Sequence, residues 1–588
     1  MDPIKSLNIH YSDTKSLDKN VNGIENQFSA VTKIKANDDI DISITANTSA
    51  RIQGIANNTS TLSGNQYSSQ LTLSSENGSI NVNVANDKNM AASNIHGLIN
   101  DNGGVTELKA KENITISASV AVAGEDSDLT AITNDSGNLN SRVSLNAGGY
   151  ILLNANGNGS LIGIDNGQDA VISLNSRGKD DSGYGIRITT NATGLNSWAV
   201  QNMSGNVNLT TETGSVLIAS MGGTSSNRAI NSTGGTVKIK SAENVSIIST
   251  SDTSSSDSSA VFVTSNQTDD FLIEGEILEL TSYSGNAYSY GVQVQNGFVN
   301  FIGDRLKIDT SAATTTRAYS LYAVSGNIDA TISELTSIHS SGTGVYSWKY
   351  FATEPTISIT SSGNYVQAGS TGLRSNGENA TVKLTATGDN SVNENNVDYT
   401  GKNVISAHTG LSSENSGKIE LTASEGNDIY SDFSDGYGSG LAIRALTGGM
   451  VDISAQETNS IFGAISSKNE GASVSIDGKT NTVRSYAVIS NAGNLNSATD
   501  DKFKDNHVIS ALYAEGKGAE ISLTGEQNYL STLADSSVHT DLERVVWAYD
   551  GADINIDGFT SITTDSYEKS LNSIDIAIAA GTAVNLTD

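Results

Sequence analysis

Tyr346, Trp348, Tyr350 and Phe351 fall within the single segment YSWKYFATEP at 346–355, which holds one of only three Trp and one of only two Pro. On a strand, alternate residues share a face, so Tyr346, Trp348 and Tyr350 would present three rings on one side. Exposed rings offer stacking surface to sugars or an anchor to a protein partner, whereas rings turned inward only pack. Acid/base or polysaccharide chemistry would instead need paired carboxylates, often beside a Lys or Arg. Candidates by adjacency are Asp38, Asp39 and Asp41, then Lys179 with Asp180 and Asp181, then Asp500, Asp501 and Lys502. The last group, with Lys504, lies in the polar stretch NAGNLNSATDDKFKDNH at 491–507, which reads as a partner-contacting excursion. Acidic pairs also occur simply as solvated turn residues.

Other chemistries find little support. Ser136 in NDSGN and Ser182 in DDSGYG stand beside Gly, but a nucleophilic serine needs a base within hydrogen-bond reach, and no such pairing is marked. His10, His96, His339, His408, His507 and His539 are scattered singly, with no H-E-x-x-H. The chain has no Cys, which removes disulfides and Cys-ligated zinc or iron–sulfur sites. The expectation is a chain with no catalytic residues, no metal and no cofactor.

Over the whole chain, 33 Lys and Arg against 64 Asp and Glu give a net charge of −31 in 588 residues. Such a chain would repel nucleic acid and anionic membrane surfaces. About a third of it is Ser, Thr or Asn, yet 36% is hydrophobic, so it can build a core and is not a disordered polymer. No apolar run reaches the ~18–20 residues of a membrane span, so no direct membrane insertion is expected. The opening MDPIKSLNIHYSD has neither a basic nor an apolar leader region and reads as free of a signal peptide.

The elements that must position any site are strands. Apolar and polar residues alternate over 4–6 positions again and again: VTELKA at 105–110, RVSLNA at 142–147, VKLTA at 382–386, IELTA at 419–423 and INIDG at 554–558. A second strand follows a short polar corner, as in NITIS at 113–117 and VLIAS at 216–220. A third closes the unit before a Gly-containing corner, as in YGVQVQNG at 290–297 and GLAIRALTGG at 440–449. Three short strands per ~30 residues, with Gly at the corners, predict an all-β fold: a right-handed parallel β-helix, an elongated solenoid of three-strand rungs. Residues 1–29 read as a lead-in or cap and 30–588 as one continuous β-helix with excursions near 346–355, 390–403 and 491–507. NLTD at 585–588 looks like the start of a further first strand, so a continuation beyond it is expected.

Irregular rungs, Ser/Thr/Asn richness, acidity and absence of Cys, with corners such as NSTGGTVKIKSAENVSI at 231–247 and SSENSGKIELTASEGNDI at 412–429, resemble a bacterial autotransporter (type V secretion) passenger domain of the adhesin or self-aggregating class. The resemblance covers residues 30–588 and contains no sharp motif; VNGIENQF at 21–28 is only a faint echo of the Asn-Pro-Asn-Gly element of two-partner haemagglutinins. It implies display on the bacterial cell surface, through an outer-membrane barrel not in this sequence, or release from the cell. It also implies partners of two kinds: a host extracellular-matrix protein or glycan, or the same protein on another cell. The alternative reading is a polysaccharide lyase or glycoside hydrolase, since parallel β-helices also host these.

Overall fold

Leu108, Leu145, Leu174 and Leu209 come from four separate alternating segments, and in the computed structural model each pairs in register with the next. The structure describes all residues except 1–2, 18, 49, 59–67, 87–93, 121–127, 136–140, 252–256, 265–269, 286, 315–316, 351–352, 432–439, 486–487, 491–506, 535–541, 567–573, 581–582 and 588. The described residues form strands joined by turns, with no α-helix. The strands pair in parallel at intervals of one rung, which makes the fold a parallel β-helix. The chain divides into two compact units, Met1–Ala318 and Tyr319–Asp588.

In the first unit each rung has three strands, one on each of three faces. On the first face the leucines above stack inward, fully buried. On the second, Ile40, Ile80, Ile114, Ile151 and Ile186 form an unbroken column. On the third, Ile55, Leu98, Ile132, Ile164 and Val200 do the same. No rung could bury its apolar side alone; stacking places each β-branched or leucine side chain between two like ones. The pairing already includes Leu7–Leu17, which lies on Ile40–Thr48.

The second unit repeats the plan. Its first-face column runs Ile328, Ile357, Val382, Ile419, Val451, Val474, Ile521 and Ile554. The third-face column runs Leu321, Val345, Leu373, Leu411, Ile443, Ile465, Leu512 and Val546. The excursion at 390–403 folds into a short antiparallel hairpin, Asn393–Glu394 with Val397–Asp398. Val392 and Tyr399 at its base pack on Leu335, which ties it to the second face.

Glycine serves two purposes. Some glycines turn corners, as at Asn102 and Gly103, both with positive φ. Others lie inside third strands with ordinary φ. A Cβ on Gly97 would stand 2.3 Å from Ile116 Cγ2 and 2.8 Å from the Ala131 carbonyl oxygen, because the third strand bends tightly over the second-face column. Ala131 itself occupies the equivalent place one rung on. Gly97→Ala should therefore cost about 1–2 kcal/mol, with Ile116 displaced, measured as a lowered urea midpoint.

Corners are held by amide ladders. In the first unit Asn26, Asn57, Asn100, Asn134, Asn166 and Asn202 lie buried at the ends of third strands. Each Nδ2 donates to the next Oδ1 at 2.8–3.1 Å. In the second unit Asn364, Asn403, Asn427, Asn459, Asn481 and Asn528 form a like ladder at 2.8–2.9 Å, but at the starts of second strands.

Candidate functional site

Residues that alternate with the third-face column of the second unit fall into two adjacent rows, the first largely buried. Register carries the first row from Tyr322 to Tyr346, Arg374 and Ser412, then to Arg444 and Ser466, and finally to Tyr513 and Trp547. The second row, two residues further along each strand, contains Trp348, Asn376, Glu414, Leu446, Lys468 and Glu515. Parallel in-register pairing stacks these groups ~4.8 Å apart, so a stripe of side chains runs across successive rungs.

At one end the aromatic rings make a continuous layer. Tyr346 lies 5.3 Å from Tyr322 and 6.3 Å from Trp348, the latter nearly parallel, with ring planes 10° apart. Tyr350 meets Trp348 edge-on at 5.0 Å. The strand Thr343–Trp348 ends at Trp348, so Tyr350 belongs to the turn beyond it. Exposure rises steadily along the series: Tyr346 is 7% exposed, Trp348 half-buried and Tyr350 63% exposed. The expected shared face thus holds for Tyr346 and Trp348, with Tyr350 joined at its rim. Ser347 Oγ donates to the Pro355 carbonyl oxygen at 2.9 Å. Phe351 lies outside the described residues, as do Asp500, Asp501, Lys502 and Lys504.

Next along the stripe is a charged network. The Arg374 guanidinium sits 4.9 Å from the Tyr346 ring centroid and reaches Glu414 Oε2 at 3.0 Å. Arg444 holds the other Glu414 oxygen, and its Nε donates to Ser412 Oγ at 3.2 Å. Ser412 Oγ in turn donates to Glu414 at 2.9 Å. Burial opposes ionisation of Glu414, but the two guanidiniums and the Ser412 hydroxyl outweigh it and hold its carboxyl below the ordinary value. Burial likewise raises the Tyr346 phenol, with Arg374 pulling the other way. At the far end Tyr513 packs on Trp547 at 4.7 Å, under Lys468 and beside Glu515.

Among the adjacent acidic residues, Asp39, Asp41 and Asp180 have partners. Asp39 Oδ1 accepts from Ser79 N at 2.7 Å, and Asp41 Oδ1 from Asn81 Nδ2 at 2.8 Å. Asp180 Oδ1 accepts from the backbone of Ser182 and Tyr184, both at 2.9 Å, and so shapes a turn; Lys179 pairs with Glu243 at 2.8 Å. A carboxylate group not evident from sequence does form in the first unit. Asp101 pairs in register with Asp135, and Asp165 stands beside Thr133 on the same face. Burial, then the Asp135 charge, raises Asp101 and Asp165 each to about 6. Asp165 Oδ1 and the neighbouring Gln201 Oε1 are buried without a partner. His96, with Nδ1 3.0 Å from Thr133 Oγ1, is lowered to about 4 by burial and Arg51. Among the described residues no three His, Cys, Asp or Glu side chains are placed to hold a metal ion.

Sequence reading missed Arg374, Glu414 and Arg444. The signal was the repeated Thr-Gly-Leu at 371–373 and 409–411, which aligns Arg374 with Ser412 and Asn376 with Glu414. No protein-family model matches the chain, and no curated protein or solved structure matches it either.

Proposed function

We propose that this chain is the adhesive passenger of a bacterial type V secretion protein, displayed on the cell surface through a barrel outside this sequence. Its role is attachment to host matrix proteins or glycans, or to the same protein on another cell. The observation that carries this reading is the stripe of the second unit, where the partly exposed rings of Trp348 and Tyr350 adjoin a guanidinium–carboxylate network across successive rungs. A shallow surface repeated along stacked rungs suits many modest contacts acting together. In the test, beads coated with the full chain are measured for attachment to matrix-coated surfaces and to each other. Trp348→Ala with Tyr350→Ala should cut attachment about tenfold, the loss expected of a stacking anchor. Attachment of the double variant at the wild-type level removes the stripe from the function.

A second reading, polysaccharide cleavage, draws on the raised carboxyls of Asp101 and Asp165, which suit a general acid near neutral pH. Release of reducing ends or unsaturated products from a polysaccharide, abolished in Asp165→Asn, would establish it in place of adhesion alone.

A further inference from the structure

We infer that the stripe beginning at Trp348 and Tyr350 binds a neutral glycan chain lying across the stacked rungs, with Arg374, Glu414 and Arg444 addressing its hydroxyls. This inference rests on the adhesive reading and names its ligand.

The first argument is spacing. Groups in the stripe recur every ~4.8 Å, close to the length of one pyranose ring in an extended chain, whereas an extended peptide advances ~3.3–3.4 Å per residue and drifts out of register within a few rungs. From Trp348 through Asn376 and Glu414 to Leu446 is three rung steps, ~14 Å, the span of about a tetrasaccharide.

The second argument is charge. Arg374 and Arg444 share Glu414, and Lys468 pairs with Glu515 at 3.1 Å. Three cations against two carboxylates leave a weak local field inside a chain of net charge −31. That combination repels sulfated and uronic chains at long range and gives a basic protein no acidic patch on this stripe. It does place fixed donors and acceptors side by side, which is what adjacent hydroxyls need.

The third argument is order. Tyr346 cannot be the contact surface at 7% exposure; it is the floor on which Trp348 and Arg374 are stacked. The exposed rings of the series are half-buried Trp348 and Tyr350, packed against each other before any ligand arrives. A platform already ordered loses little conformational freedom on binding.

The full chain is titrated with cellotetraose, maltotetraose, N,N′,N″,N‴-tetraacetylchitotetraose and tetragalacturonate, by calorimetry and Trp fluorescence. At least one neutral tetrasaccharide should bind, about tenfold more tightly than its disaccharide, with little change from low to high salt. Trp348→Ala should weaken it about tenfold and Glu414→Gln about fivefold, with unchanged far-UV dichroism. Binding of tetragalacturonate alone overturns the inference, as does binding of no tetrasaccharide or binding indifferent to Trp348→Ala. The bead assay separates the two readings. Trp348-dependent attachment to a matrix protein without sugar binding overturns the glycan and leaves the adhesin, whereas failure of both assays overturns both.

Discussion

Asn100→Ala should destabilise the unit Met1–Ala318 by about 4 kcal/mol, seen as a large drop in its urea midpoint. The side chain is fully buried and makes five bonds. Its Nδ2 donates to the Gly104 carbonyl oxygen and to Asn134 Oδ1, both at 2.8 Å, and more weakly to the Arg142 carbonyl oxygen at 3.3 Å. Its Oδ1 accepts from Asn57 Nδ2 and from Thr106 Oγ1, again both at 2.8 Å. Alanine removes all five at once and strands polar atoms where water does not reach; each such atom costs about 1–3 kcal/mol. Asn100→Asp should be no better, since it keeps the acceptors, deletes both donors and places a carboxylate in the core. Asn175→Ala is the control. Asn175 bonds Asn146 at 3.0 Å in an exposed position, and its loss should fall within about 0.5 kcal/mol. Equal losses for Asn100→Ala and Asn175→Ala would mean that the buried ladder contributes nothing beyond ordinary surface contacts.

Strand positions could be read directly because alternation is a local property. VTELKA at 105–110 and RVSLNA at 142–147 coincide with the strands Val105–Ala110 and Arg142–Ala147, and their leucines stack as the repeat implied. What could not be read locally was which outward residues meet. Arg374 and Glu414 are 40 residues apart and become neighbours only because the intervening hairpin at 390–403 folds aside and the two strands pair, with a register shift between Ala368 and Thr371. Asp101, Asp135 and Asp165 likewise come from three rungs separated by unequal loops.

Asn and Gly each serve in two kinds of place. At corners such as Asn102 and Gly103, tolerance of positive φ explains them. The ladder asparagines are instead strand residues, selected because one amide can donate up one rung and accept from the other. Gly97 is there for lack of a side chain, not for freedom of φ. Backbone preference and side-chain capacity choose the same residue types for different reasons, and only register distinguishes them.

Asp165→Asn should stabilise the first unit at neutral pH, by about 2 kcal/mol, and this gain should vanish on acidification. The folded chain holds the Asp165 carboxyl at about 6, through burial first and the Asp135 charge second. The unfolded chain lets it ionise near 3.8. Between these values the folded state binds more protons, so stability falls as pH rises through the window and is lowest, for this group, above 6. A shift of about two units corresponds to about 3 kcal/mol at most, and partial relaxation around the carboxylate reduces it. His96 works in the opposite sense. Its folded value of about 4 lies below the unfolded 6.5, so its contribution is complete above 6.5 and lost as pH falls towards 4. Asp101 repeats the Asp165 pattern under the additional pull of Arg51. The raw pH profile therefore mixes opposing terms with the titration of every other carboxylate. The difference between wild type and Asp165→Asn cancels all but one. That difference, from urea midpoints at a series of pH values, should favour the variant above pH 6 and shrink to nothing near pH 4. A variant less stable than wild type at neutral pH would mean that the ionised carboxylate is held by favourable contacts, and that the unpartnered Oδ1 carries no penalty.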